Sequence, residues 1–219
     1  MIREAILERQ QARNLRLREE SWQILAGGLF LAGQDVFVIT RTGSGKTFCY
    51  QGPAMADLDG IILVLCGLIN LQEDQVRAAK QNGIKAVALN EGTLSNARGL
   101  LDQVSGGAYE VVVVSPEFCS PSNHNWCKMT GSTEFSCRLK GIVVDEAHLI
   151  HAWRDFRPAY TNIHQLRIWY PSLPFMVLTA TMTPYVRAFV HKSLRLKDGS
   201  AMIHRKVDRP EIYLSTHPT

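Results

Sequence analysis

The chain has 219 residues, of which 46% are hydrophobic and 20% charged, with a formal net charge of +4. That length and apolar content suffice for a sizeable core and exclude a chain that is mainly disordered. The longest apolar run, residues 61–69, falls far short of the roughly 20 residues a membrane-spanning helix needs.

Residues 1–20 hold four glutamates and alternate in charge. They predict a charged helix over 2–17 and argue against a secretory leader or a mitochondrial presequence. Strands are then predicted at 36–40, 61–65, 86–89, 111–115, 142–144 and 175–179, each a continuous run rich in Val, Ile or Leu. Such runs suit a parallel sheet buried on both faces. Helix-compatible stretches lie between them at 46–56, 71–82, 95–103 and 159–169. Strand and helix in alternation predict one α/β domain over 21–205, mostly parallel, with helices on both faces. Residues 120–139, which open SPSNHNWCKMTGSTEF, are polar and turn-rich and predict an inserted surface loop. Residues 206–219, with Pro210 and Pro218, read as an exit segment.

The first strand runs into Thr42, Gly43, Ser44, Gly45, Lys46 and Thr47 before a helix begins. Glycines let such a loop turn its N–H groups inward onto phosphate oxygens, and the helix dipole adds positive potential. Lys46 is placed to meet the β- and γ-phosphates of ATP, and the Thr47 hydroxyl to ligate Mg²⁺. Thr40 stands where the strict pattern has its first glycine. About 100 residues on, the strand at 142–144 ends in Asp145 and Glu146. In P-loop enzymes an acid at this place holds Mg²⁺ and its neighbour activates the attacking water. Asp145 suits the first role and Glu146 the second, and the two motifs together indicate an ATP-dependent enzyme.

Asp145–His148 (DEAH) with Thr179-Ala180-Thr181 resembles the motif set of superfamily-two helicases, and the chain resembles the RecQ family of DNA helicases in particular. The P-loop followed by Cys49-Tyr50-Gln51, then Asp74-Gln75-Val76, Ser115-Pro116-Glu117, the run from His148 to Tyr160, and Asp208-Arg209-Pro210 all carry that resemblance. It spans roughly residues 15–219 and implies a single RecA-like P-loop NTPase lobe. It implies an adenine-reading role for Gln23, twenty-three residues before Lys46, and a coupling role for His148, Thr179 and Thr181. It also implies that the aromatic-rich stretch meets single-stranded DNA or a single-strand/duplex junction. There Trp153 and Phe156 would stack on bases while Arg154 and Arg157 meet phosphates. Capping of the core by Trp153 and Phe156 is the alternative reading of those two rings. Work in DNA repair or recombination, in the nucleus of a eukaryote and otherwise in the cytoplasm, follows from the same resemblance.

Departures from the family pattern are local. Glu19 and Glu20 stand where Phe-Arg is usual, with Arg18 as a substitute; Arg41 replaces a proline; Cys66-Gly67-Leu68 replaces Ser-Pro-Leu; and Arg154 replaces a Gly-His pair. Five cysteines, an odd number, suit reduced thiols better than disulfides. Cys119, His124, Cys127 and Cys137 lack the Cys-x-x-Cys spacing of a zinc site. Residues 111–219 carry 13 basic and 8 acidic side chains against 11 and 12 in residues 1–110, which suits a polyanionic partner. The leading reading is the ATP-binding lobe of a 3′-to-5′ DNA helicase that needs a second RecA-like lobe, expected outside this chain. A stand-alone nucleotide-gated nucleic-acid-binding module and a fragment of a DEAH-type RNA helicase are the other two. No membrane partner is expected.

Overall fold

Runs of β-branched residues set the architecture. The computed structural model describes residues 21–56 and 59–207, together with Glu4. The helix expected at 2–17, Arg18, Asp208-Arg209-Pro210 and most of the exit segment lie outside the described residues.

Among the described residues seven strands form one sheet: β1 (Val36–Ile39), β2 (Ile61–Leu65), β3 (Ala86–Leu89), β4 (Val111–Val114), β5 (Leu139–Val144), β6 (Phe175–Thr179) and β7 (Ala201–His204). Their order is β3-β4-β2-β5-β6-β1-β7, and every pairing is parallel. Residues of β1 to β6 are buried almost throughout, so alternate side chains feed two separate cores. Phe37 and Ile39 enter one core and Val36 and Val38 the other. Helices cover both faces, as continuous apolar strands require. On the Val36 side lie α1 (Ser21–Leu31), α2 (Phe48–Ala56) and α3 (Ile69–Gln81), which bury Trp22, Phe30, Tyr50 and Ala79. No helix of the described residues is long and apolar enough to cross a membrane.

The opposite face is built from short helices: α4 (Glu91–Asn96), α5 (Leu100–Ser105), α6 (His124–Thr130), α7 (Thr133–Arg138), α8 (Leu149–Ala152), α9 (Pro158–Thr161), α10 (His164–Trp169) and α11 (Pro184–Ser193). Here the structure corrects one expectation. Residues 120–139 are not a surface loop. Asn123 caps α6 by accepting from the N–H groups of Asn125 and Trp126 (2.9 and 3.3 Å), and Ser132 caps α7. The polar residues that look like turn signals are therefore helix caps. Behind them Trp126, Met129 and Phe135 are buried in the core. The helices expected at 95–103 and 159–169 are each divided into two short ones.

At the sheet's N-terminal end, buried Asp35 gathers the chain. It pairs with Arg167 (2.6 Å) and accepts from the N–H groups of Phe175 (2.8 Å) and Lys197 (2.7 Å). Arg167 lies over the Phe175 ring at 4.0 Å and also donates to Leu173 O. This buried knot fixes the start of β6 and the approach to β7 beside β1, so the opposite strand ends emerge in register.

Candidate functional site

The C-terminal ends of β5, β6 and β1 are consecutive in the sheet, the position at which open α/β sheets hold ligands. After Ile39 the chain turns through residues 40–47 into α2. Gly43 and Gly45 both have φ of 78°, where a side chain is strained. Lys46 is buried, and the Ser44 hydroxyl is buried with no hydrogen-bond partner in the described residues. Gln23, in α1, donates its amide to Gly45 O (2.9 Å) and Ser44 O (3.3 Å). The spacing read from the sequence therefore brings Gln23 to the loop, where its contact is with the loop backbone.

Asp145 and Glu146 follow β5 directly. The Asp145 N–H donates to Leu65 O and the Ala147 N–H to Leu178 O, both at 3.0 Å, tying this turn to β2 and β6. Glu146 has φ of 47°, a left-handed conformation costing about 1–3 kcal/mol in a residue with a side chain. Burial pushes the Asp145 carboxyl up to about 6, and the neighbouring Glu146 charge adds to the rise. Glu146 is held below the usual carboxylate range by its hydrogen bond from His148, with Lys46 reinforcing the effect. Environment thus drives two adjacent acids apart, as acid–base sites require. A buried carboxylate that resists ionisation beside a second negative charge is a seat for a cation. With buried Lys46 close enough to act on the Asp145 carboxylate and Thr47 next in the chain, the donor set of this turn fits Mg²⁺ and a nucleoside triphosphate.

His148 Nδ1 lies 3.1 Å from Thr179 Oγ1 and 3.3 Å from Glu146 Oε2. The Thr179 hydroxyl donates to Thr181 O (3.1 Å), and the Thr40 N–H donates to Thr179 O (3.1 Å). One network thus brings together Glu146, His148, Thr179 and Thr181 with the start of the phosphate loop.

A residue quoted in a motif but given no role enters this site. Gln75, on α3, donates its amide to Asp145 Oδ2, and its own carbonyl Oε1 is buried with no partner in the described residues. An unpartnered buried acceptor costs about 1–3 kcal/mol. The signal available in the sequence was the Asp74-Gln75-Val76 match itself.

The aromatic-rich stretch divides. Phe156 is 64% exposed, whereas Trp153 packs against the core, edge-on to Tyr160 (5.5 Å between centroids). Core-capping therefore describes Trp153 and not Phe156. Arg157 pairs with Glu117 (2.7 Å), donates to Gly67 O (3.1 Å) and lies over the Trp153 ring at 4.8 Å. Arg154 turns the other way, over Phe189 of α11 at 5.7 Å. A Cβ on Gly67 would meet Tyr160 Oη at 1.8 Å, which accounts for the glycine at a position where the resemblance implies proline. Beside this stretch, a groove of about 1050 Å³ opens at the ends of β2, β3 and β4. It is lined by 67–72, 89–92, 115 and 117–118, with Asn123 and Arg157. Cys119 is buried while Cys127 and Cys137 are exposed, and no three metal-binding side chains gather among the described residues.

Residues 20–189 match the DEAD/DEAH box helicase family. The chain is 35% identical over 197 residues to the ATP-dependent helicase SGS1 of Saccharomyces cerevisiae, covering 87% of this chain and 13% of that protein. It is 35% identical over 187 residues to the ATP-dependent DNA helicase RecQ of Haemophilus influenzae, covering 83% and 28%. With the ATP-dependent DNA helicase Q1 of Mus musculus the figures are 36% over 168 residues, covering 75% and 26%. The chain thus spans 13–28% of these relatives. The helicase MrfA bound to DNA and AMPPNP superposes with a TM-score of 0.64 at 21% identity, over 93% of this chain and 29% of that one. A hypothetical ATP-dependent RNA helicase from Sulfolobus tokodaii gives 0.66 at 20% identity, over 92% and 57%. At these identities the two structures establish the RecA-like fold. The phosphate loop, the acid pair beside it and the matched span agree: this chain belongs to the DEAD/DEAH box helicase family, as a RecA-like lobe similar to those of RecQ-type DNA helicases.

Proposed function

We propose that this lobe binds Mg²⁺·ATP and, joined to a second RecA-like lobe, couples its hydrolysis to 3′-to-5′ movement along single-stranded DNA and to duplex unwinding. The carrying observation is the alignment of the phosphate loop, the Asp145–Glu146 pair and the Thr179–Thr181 turn on three neighbouring strand ends. Mg²⁺, held through Thr47 and Asp145, would supply positive charge to the β- and γ-phosphates. The amides of Thr42, Gly43, Ser44 and Gly45 cradle phosphate oxygens, and Lys46 neutralises them from a buried position. Gln23 reads the adenine edge, which requires its amide to leave Ser44 O and Gly45 O. Glu146, ionised at neutral pH, orients the attacking water and accepts its proton. His148 links that carboxylate to Thr179 and so to Thr181, which reports the state of the γ-phosphate.

On the DNA side, exposed Phe156 supplies a stacking surface and the Gly67–Arg157 groove a path for the strand. Because the same stretch follows directly from His148, strand binding and water activation share one backbone segment. Roles in DNA repair or recombination, nuclear in a eukaryote, extend the same reading.

Equilibrium titration with a fluorescent ATP analogue tests the nucleotide half. Lys46→Ala should abolish Mg²⁺-dependent binding while the melting temperature stays within a few degrees; unchanged binding defeats the assignment. Competition between oligothymidine and oligouridine tests the other half, since preference for the RNA strand would favour an RNA helicase. The lobe tested alone should hydrolyse ATP weakly, because the second lobe's arginine is worth about 10³–10⁵ in rate. Unwinding by the lobe alone would defeat the two-lobe mechanism.

A further inference from the structure

The groove and the nucleotide site are joined by one helix. The start of α3 lines the groove through Ile69, Asn70, Leu71 and Gln72. Gln72 is fully buried; its amide donates to Cys66 O (2.8 Å), at the end of β2, and its carbonyl accepts from Asn90 (3.4 Å), beyond the end of β3. Gln75 lies three residues on, hence on the same face of the helix. It is likewise buried and donates to Asp145 Oδ2. Asp145 Oδ1 is taken by the Glu146 N–H (2.9 Å), so Gln75 fixes the remaining degree of freedom of the carboxylate. Two buried polar side chains in one packed helix are costly features for a purely apolar interface to carry. Their partners lie at the two sites: one holds the groove's wall, the other the acid assigned to the cation.

We infer that Gln75 is a positioning residue for Asp145, and that α3 transmits occupancy of the groove to the nucleotide site through Gln72 and Gln75. The inference rests on the nucleotide and strand assignments proposed above. A strand pressing on the first turn of α3 shifts a rigid helix whose next turn holds Asp145. By linkage, Mg²⁺·nucleotide must then alter strand affinity by the same factor as the strand alters nucleotide affinity.

The test measures two dissociation constants on the whole chain. One is for AMPPNP over a Mg²⁺ series. The other is for a labelled oligothymidine of about 15 nucleotides, long enough to fill such a groove, with and without Mg²⁺·AMPPNP. The parent should show a coupling factor of about tenfold. Gln75→Met keeps the side-chain length and removes the amide. It should raise the Mg²⁺ midpoint about tenfold and bring the coupling factor close to one, at an essentially unchanged melting temperature. A merely structural role would instead lower the melting temperature and weaken both ligands together, and would overturn the inference, as would parent-like coupling in the variant. Isotope-labelled glutamine amides in the parent give a measurement that needs no variant. The Gln75 side-chain signals should shift when oligothymidine is added without nucleotide, and unmoved signals overturn the inference. A parent that binds no Mg²⁺·AMPPNP at all overturns the proposed function, and the inference with it; a parent that binds while Gln75→Met matches it overturns the inference alone.

Discussion

Asp145 is where burial and chemistry oppose each other most directly. Its carboxyl is raised to about 6 by desolvation and by Glu146, above the unfolded value near 3.9. The folded chain therefore holds a proton that the unfolded chain has released between those values. Asp145's contribution to the stability of the unliganded protein should therefore fall as pH rises from about 4 to 6 and stay low above that, a dependence that Asp145→Asn should remove. Asp145→Asn removes the penalty and should stabilise the nucleotide-free chain by on the order of 2 kcal/mol at pH 7, read by thermal unfolding, while ATP turnover is lost. Conversely, a metal must displace that proton at acid pH. Mg²⁺-dependent nucleotide affinity should drop up to about tenfold per unit below pH 6, and a flat profile from pH 7 to 5 would exclude Asp145 as the ligand. Gly67 is the other telling position. Tyr160 Oη occupies the space a Cβ would need, so Gly67→Pro should displace Tyr160 and Arg157 and weaken strand binding without touching the phosphate loop.

Among the elements, the stretch after His148 separates two aromatic roles. Phe156→Ala should weaken oligothymidine binding by about 1–3 kcal/mol with little change in melting temperature, because the ring is exposed. Trp153→Ala should lower both, since that ring packs on the core and under Arg157. The sequence pattern does not tell these rings apart, because three residues of spacing in a turn leave direction undefined. For the same reason 120–139 reads as a loop: asparagine and serine serve turns and caps alike, and which role they play depends on where Trp126, Met129 and Phe135 are buried. Trp126→Ala should cost about 3–5 kcal/mol in stability, measured by denaturant unfolding. A cost below 1 kcal/mol would return these helices to the surface.

At the scale of the whole fold, six of the seven strands among the described residues were legible, because burial on both faces gives an apolar run; in β5 that run covers 142–144 alone, since exposed Lys140 interrupts its start. The seventh, β7, escaped: of its four residues Ile203 alone is buried, and a strand so little covered leaves no apolar run, whereas the other edge strand, β3, is buried throughout. The positions of the glycine-rich turn at 42–47 and of the acids at 145–146 were equally plain, since each follows directly from an apolar strand. Gln75 was not, because a lone glutamine's worth depends on what lies 70 residues away in the chain. Strand binding by an assembled helicase of this kind should also fall steeply with added salt, which a titration series in sodium chloride reads directly.

The place of β1 in the sheet bears on how the protein is made. Its partners are β6, reached at residue 176, and β7, reached at residue 201. The strand that carries the phosphate loop is thus the first of these seven to be synthesised and must wait for the last two to find its neighbours. Pairings this distant in sequence form late, and chains emerging from the ribosome pass through partly collapsed stages. On a nascent chain the Gly43–Lys46 turn has no Thr179 carbonyl to accept from Thr40 and no Asp145 opposite it. ATP can therefore reward only the finished sheet, and in the cell it would serve as a ligand that selects completed molecules from those still being built.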